Sequence, residues 1–272
     1  MDHQGRFRGA ALALDVPDDE IDVFAEHLRL SIRLSGSPAG APVGRFGGSP
    51  QLPDGVDWPD TDGSPLPFVF AVDCAALPAV DGLALPAGGS LLFFLDHEKD
   101  HLAGGSARVL HTPAGIEITG DSTALGATLV AELPPWFPTE EDLEDDDLSP
   151  FQEQLISDVP HLDELSALAD ELWPRGDGLP SAYVGGYADD EVITSIAEQT
   201  LAGREKAGEI VVPVAQWYSA VDREKHRLTR EWVSLARFPV DGEYYYGSFV
   251  IRGDDLAAGL LERALSVTEF SE

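Results

Sequence analysis

The chain has 272 residues, 43% of them apolar, and sets 49 acidic side chains against 17 basic ones for a formal charge of −32. That is enough apolar material for one large domain or two small ones. A field of this sign repels nucleic-acid phosphates and anionic membrane surfaces and attracts basic proteins, cationic ligands and metal ions.

A single cysteine, Cys74, rules out an intramolecular disulfide. The apolar stretch 10–14 is too short for a secretory signal, and no apolar run approaches the ~18 residues of a membrane span. The expected address is cytoplasmic, with no membrane and no direct nucleic-acid partner.

The first periodic segment predicts a helix over 18–34, with Ile21, Phe24, Leu28 and Ile32 on one face. Pro17 stands at its start, and Asp18, Asp19 and Glu20 suit the positive end of the helix dipole. Residues 42–67 read as one long loop rich in Gly, Pro and Asp. Trp58 anchors it and is expected to be mostly buried, and Gly47-Gly48 forms a sharp turn.

A β-rich block follows. Segments 68–72 and 91–95 are nearly continuous apolar runs, as expected of strands buried on both faces. Segments 108–111, 116–119 and 128–133 continue it as a meander. Positions 140–147 hold seven acids in eight, the pattern of a solvated loop.

Helix signals return at Ser149-Pro150-Phe151-Gln152, a capping box with proline at the first helical position. Leu162, Leu165, Leu168 and Leu172 form an apolar stripe, and a third helix spans 190–201 before Gly203. The last quarter predicts a helix over 214–225, strands over 232–238 and 244–251, a helix over 254–265 and a strand over 267–270. "GSLLFFLD" in the first half and "GSFVIRGDDL" in the second echo one another, a hint of duplicated halves.

Residues Arg45, Gly47, Gly48, Pro50, Leu52, Pro53, Trp58, Pro59, Gly63, Pro65, Leu66 and Phe68, followed by Asp73, Gly89, Leu91, Phe93, Phe94 and Asp96, form a dense pattern. It resembles the YwqG-like family, a bacterial family of unknown function. "SAYVGGYADD" resembles that family's L-x-GYP segment without the proline, and the strands "EWVSLARF" and "YYYGSFVIRGDDL" resemble its last ones. A W-G-D stretch common there is replaced by Tyr244, Tyr245, Tyr246 and Gly247. The resemblance implies a two-lobed α+β fold of packed, related halves with peripheral helices, and it supplies no catalytic residues. The expected organisation is one domain over 1–272, with sub-lobes 1–138 and 149–272 joined by an acidic loop, 139–148.

His97, Glu98 and His101 spell H-E-x-x-H, the zinc-peptidase spacing that needs a helix to bring two imidazoles together. Here the motif leaves a strand and meets Gly104-Gly105 within a turn of His101, so no metal site is expected. Cys74 reads as a small buried filler and His111 as a packed strand residue. The acidic segment lacks the glycine of a calcium loop. Arg175-Gly176-Asp177 reads as a turn, and no phosphate-loop, dinucleotide or nucleophile-elbow motif occurs.

With no catalytic constellation and no cofactor motif, the expected function is a non-catalytic binding protein, immunity-like or antitoxin-like, whose acidic face meets a basic partner. The alternative is a small-molecule enzyme or sensor using a cleft between the halves. Arg45, Trp58, Asp73 and Asp96 are the candidate binding residues, with His97 near the mouth of that cleft.

Overall fold

The structure is a computed structural model that describes residues 2–36, 41–98, 105–138, 148–176, 181–240 and 245–270. The chain opens with α1 (His3–Leu12), a helix that the sequence reading missed, and continues into α2 (Asp18–His27). Asp2 caps α1 by accepting a hydrogen bond from the Gly5 N–H.

Helix α2 does not reach residue 34. The backbone turns extended at Leu28 and runs on as β1 (Arg29–Ser35). Leu30, Ile32 and Leu34 alternate with Ser31 and Arg33, and strand pairing on both sides satisfies the backbone of this segment. The i, i+4 match of Leu28 and Ile32 was fortuitous.

The 42–67 segment also departs from expectation, because it opens with β2 (Gly44–Pro50), paired to strands on both sides. Its glycines make room within the sheet. Gly48 has φ +81 at a register shift, and a Cβ there would come within 2.7 Å of the Thr119 carbonyl. The small hairpin β3 (Asp60–Thr61) and β4 (Ser64–Pro65) follows.

Next come β5 (Phe68–Asp73), β6 (Ser90–Leu95), β7 (Ala107–Thr112) and the long β8 (Ile118–Glu132). β8 is one strand where the sequence suggested two. Its first half pairs β2 and its second half pairs β1.

The capping box at Ser149 forms as predicted and opens α3 (Pro150–Asp158); α4 (Leu162–Leu172) carries the leucine stripe. Then follow β9 (Ala182–Gly185), α5 (Asp190–Lys206), α6 (Trp217–Glu231), β10 (Trp232–Val240), β11 (Tyr245–Arg252), the short α7 (Gly253–Ala257) and β12 (Leu265–Phe270).

All these strands but β3 and β4 join one ten-stranded sheet in the order β12-β11-β10-β9-β1-β8-β2-β5-β6-β7. Every pairing in it is antiparallel. The fold is α+β.

The sheet curls until its two outer meanders, β5-β6-β7 and β10-β11-β12, meet. Phe70 lies edge-on to Phe238 at 5.3 Å between ring centres, and Phe93 to Phe249 at 5.4 Å. The main core lies between them, lined by Ile32, Leu34, Leu91, Leu125, Val184 and Leu235.

Three smaller cores cover the outside. Helices α1 to α4 pack Phe7, Phe24, Leu165 and Trp173 over the middle of the sheet. Helices α5 and α6 pack Val192, Ile196 and Leu228 over the β10-β11 arm. The Trp58 segment covers Leu92 and Phe94 on the β5-β6 arm. Strand β6 is thus buried on both faces, as its unbroken apolar run implied.

Candidate functional site

The four residues singled out from the sequence do not converge. Asp73 and Asp96 flank opposite ends of the β5-β6 pair, about 20 Å apart for six residues of extended chain. Asp73 makes a local turn by accepting the Ala75 N–H, and the Asp96 N–H donates to the Ser106 carbonyl. Arg45 is exposed on β2, its guanidinium 3.4 Å from the Ser122 hydroxyl.

Trp58 is mostly buried, as expected. Its ring stands edge-on to Phe94 at 5.2 Å, and its indole N–H donates to the Leu66 carbonyl at 2.9 Å. That is the geometry of a clasp on the outer core.

His97 and Glu98 lie in a turn after β6; His101 is outside the described residues. Among the described residues no group of His, Cys, Asp or Glu is placed to hold a metal ion. Cys74 is buried, and burial pushes its thiol up to about 11. His111 is exposed, contrary to expectation, with Nε2 2.9 Å from the Gly88 carbonyl.

The sheet does gather an unanticipated cluster on its outer face, along the seam between the helical layers. The register aligns Arg33 of β1, Tyr183 of β9 and Arg237 of β10 side by side across three strands. Residues opposite one another in a ladder share a face, and the Arg237 guanidinium lies 5.0 Å from the Tyr183 ring centre.

Glu132, the last residue of β8, accepts from the Ser31 hydroxyl at 2.6 Å and the Tyr187 N–H at 3.0 Å, with Arg237 at 3.4 Å. Gly186 is what admits this carboxylate. It has φ +84, and a Cβ there would overlap Glu132 Oε2.

Tyr187 is buried and divides the seam. Its hydroxyl donates to the His27 carbonyl at 2.8 Å, and burial pushes the phenol up to about 12. Arg29 stacks on its ring at 4.1 Å and donates to the carbonyls of Thr229, Arg230 and Trp232. It thereby caps the negative end of α6.

On one side of Tyr187 a cavity of about 290 Å³ is lined by Val130, Glu132, Arg175, Tyr183, Asp189 and Arg237, among others. On the other, a cavity of about 330 Å³ is lined by His27, Arg29, Trp136, Thr229 and Arg230. Arg45, Trp58, Asp73 and Asp96 line neither.

A family model described as a domain of unknown function (DUF1963) matches residues 44–267, most of the chain. The chain belongs to that family. No curated protein matches it in sequence. The matched DUF1963 span holds Glu132, Arg175, Tyr183, Tyr187 and Arg237 but begins after β1, so Arg29, Ser31 and Arg33 come from outside it. Among the described residues of this DUF1963 chain no helix is long and apolar enough to cross a membrane.

The seam left faint traces in the sequence. Arg237 is a lone charge inside the apolar strand "WVSLARF", and Glu132 a lone acid in "TLVAELPP". Gly185-Gly186-Tyr187 carries the family resemblance within "SAYVGGYADD", and nothing local in the sequence shows its partner.

Proposed function

We propose that this YwqG-like chain is a ligand-binding protein whose site is the cleft at Glu132, Tyr183, Tyr187 and Arg237. The observation that carries this reading is the cleft of about 290 Å³ in which strands from the first and second halves of the sequence bring charged and aromatic side chains together. Small-molecule sites are concave, with a few fixed polar groups on a rigid frame. The frame here is the sheet, and the fixed group is Glu132, held by three donors.

The test is a fragment library screened against the ¹⁵N-labelled chain, each hit mapped by its amide shifts. Hits should collect at residues 130–135 and 183–190. A screen whose hits all map elsewhere contradicts the proposal.

A second reading, an acidic protein that engages a basic partner, draws on one specific observation. Val211 and Val214, between α5 and α6, and Tyr218, in the first turn of α6, are 87%, 91% and 86% exposed. Apolar groups so fully exposed are a feature of binding surfaces, and the charge of −32 would draw a basic partner toward them. A partner captured from cytoplasm at low salt should be lost at high salt and with Tyr218→Ala. Capture that is indifferent to both removes this reading.

A further inference from the structure

The hydrogen-bonding balance of the cleft indicates what kind of molecule it would hold. Three acids and two arginines line it. Each acid already has a partner. Glu132 accepts from Ser31, Tyr187 and Arg237. Asp189 accepts the Glu191 N–H as the cap of α5, and Asp190 is paired with Lys225 at 2.7 Å.

The arginines are less engaged. Among the described residues Arg237 has one polar contact, at 3.4 Å to Glu132, and a ring face of Tyr183, which leaves most of its five donors for the cleft. Arg175 is exposed and has no ion pair or hydrogen bond among the described residues. The wall therefore offers most of the donors of two guanidinium groups, in a chain that carries −32 overall. Arginine forks of this kind match the paired oxygens of carboxylates and phosphates.

We infer that the cleft takes a small organic oxyanion, a carboxylate or a phosphate, bound between Arg175 and Arg237 with its body against Tyr183. This rests on the proposal that the cleft is a ligand site. The surrounding negative field makes the inference selective. Anions are repelled from the surface at large, so an anion that binds must find a built cationic site.

Four probes of similar size decide the matter when titrated into the labelled full chain and read at the cleft amides. They are succinate, inorganic phosphate, the neutral succinamide and the dication putrescine. Succinate or phosphate should shift residues 130–135 and 183–190 saturably, and succinamide and putrescine should not. Arg175→Gln, at an exposed site with no ion pair or hydrogen bond to lose among the described residues, should weaken the anion about tenfold. Arg237→Gln should do the same, with distant amides unchanged to show that the fold survives.

If phosphate alone binds, the ligand is a phosphate compound; if succinate alone binds, it is a carboxylate. Putrescine or succinamide shifting the cleft while both anions stay silent overturns the inference and leaves the ligand-site proposal standing. Silence from all four probes overturns the inference too, and the fragment screen then decides whether the cleft binds anything. Anion binding unaltered in both arginine variants also overturns it.

Discussion

At Gly186 the left-handed backbone and the carboxylate of Glu132 occupy the space that any side chain would need. Gly186→Ala should cost about 2 kcal/mol or more, from strain at positive φ together with displacement of Glu132. Glu132→Ala should cost a similar ~2 kcal/mol by stranding the Ser31 hydroxyl and the Tyr187 N–H. Because the two sites share one contact, the double variant should lose clearly less than the sum in urea unfolding. Strict additivity would show that Gly186 is not shaped around Glu132.

Trp58 gives the companion case on the opposite arm. Trp58→Phe keeps the edge-on contact with Phe94 but loses the bond to Leu66, and should cost about 1 kcal/mol. Trp58→Ala should cost ~2–3 kcal/mol, less than a fully buried aromatic because one side of the ring meets solvent. An unchanged melting temperature in both would mean that the ring clasps nothing. The sequence marked Trp58 as an anchor because a large aromatic in a Gly-Pro segment has few other uses. It could not mark Glu132 or Arg237, whose partners lie 101 and 105 positions away in the chain.

Among the elements, those read correctly carried their signal locally. The capping box at Ser149 and the leucine stripe of α4 depend on neighbours within two helical turns. The misreadings arose where pairing across the sheet overrode local pattern. Leu28 to Leu34 fits a helix and a strand about equally until β8 and β9 flank it, and the glycines of β2 look like loop until their close neighbours appear. The Gly-Ser echo has different causes in its two copies. Gly89 has φ +81 against the Thr112 carbonyl, whereas Gly247 makes room for Leu95 and Phe238, 2.6 and 2.8 Å from where a Cβ would be.

One contact between elements should give the fold a measurable pH dependence. The side chain and backbone N–H of His161, ahead of α4, both reach Glu20 of α2. The hydrogen bond to Glu20 raises the His161 imidazole above its ordinary value of 6.5. A raised base contributes stability that is complete below the unfolded value and disappears as pH rises through the folded one. The wild type should therefore exceed His161→Gln in stability at about pH 5.5 and lose that margin by about pH 9. His27 and His226 act in the other direction. Burial, then Arg230, lowers both, so folding releases protons from them and stability falls as pH drops through 6.5. A margin for His161 that grows with pH would contradict the assignment.

On the scale of the whole molecule, charge and topology set the behaviour. A net −32 is self-repulsive in the compact state, and screening by salt should relieve it. The melting temperature should rise between ~10 and ~150 mM NaCl; a fall would mean that attractive pairs such as Arg8 with Asp18 and Asp22 outweigh the repulsion. The α+β class was legible from the mixture of strand runs and capped helices. The single curled sheet was not, because it depends on β8 serving both β1 and β2 and on β1 meeting β9 across 150 residues of chain.

That same join of β1 to β9 creates the seam, and with it the central claim that the seam binds a small oxyanion. Crystals soaked in succinate or phosphate test it most directly. The account predicts an ion bound between Arg175, Tyr183 and Arg237. An empty cleft with ions bound only at other surfaces would contradict it.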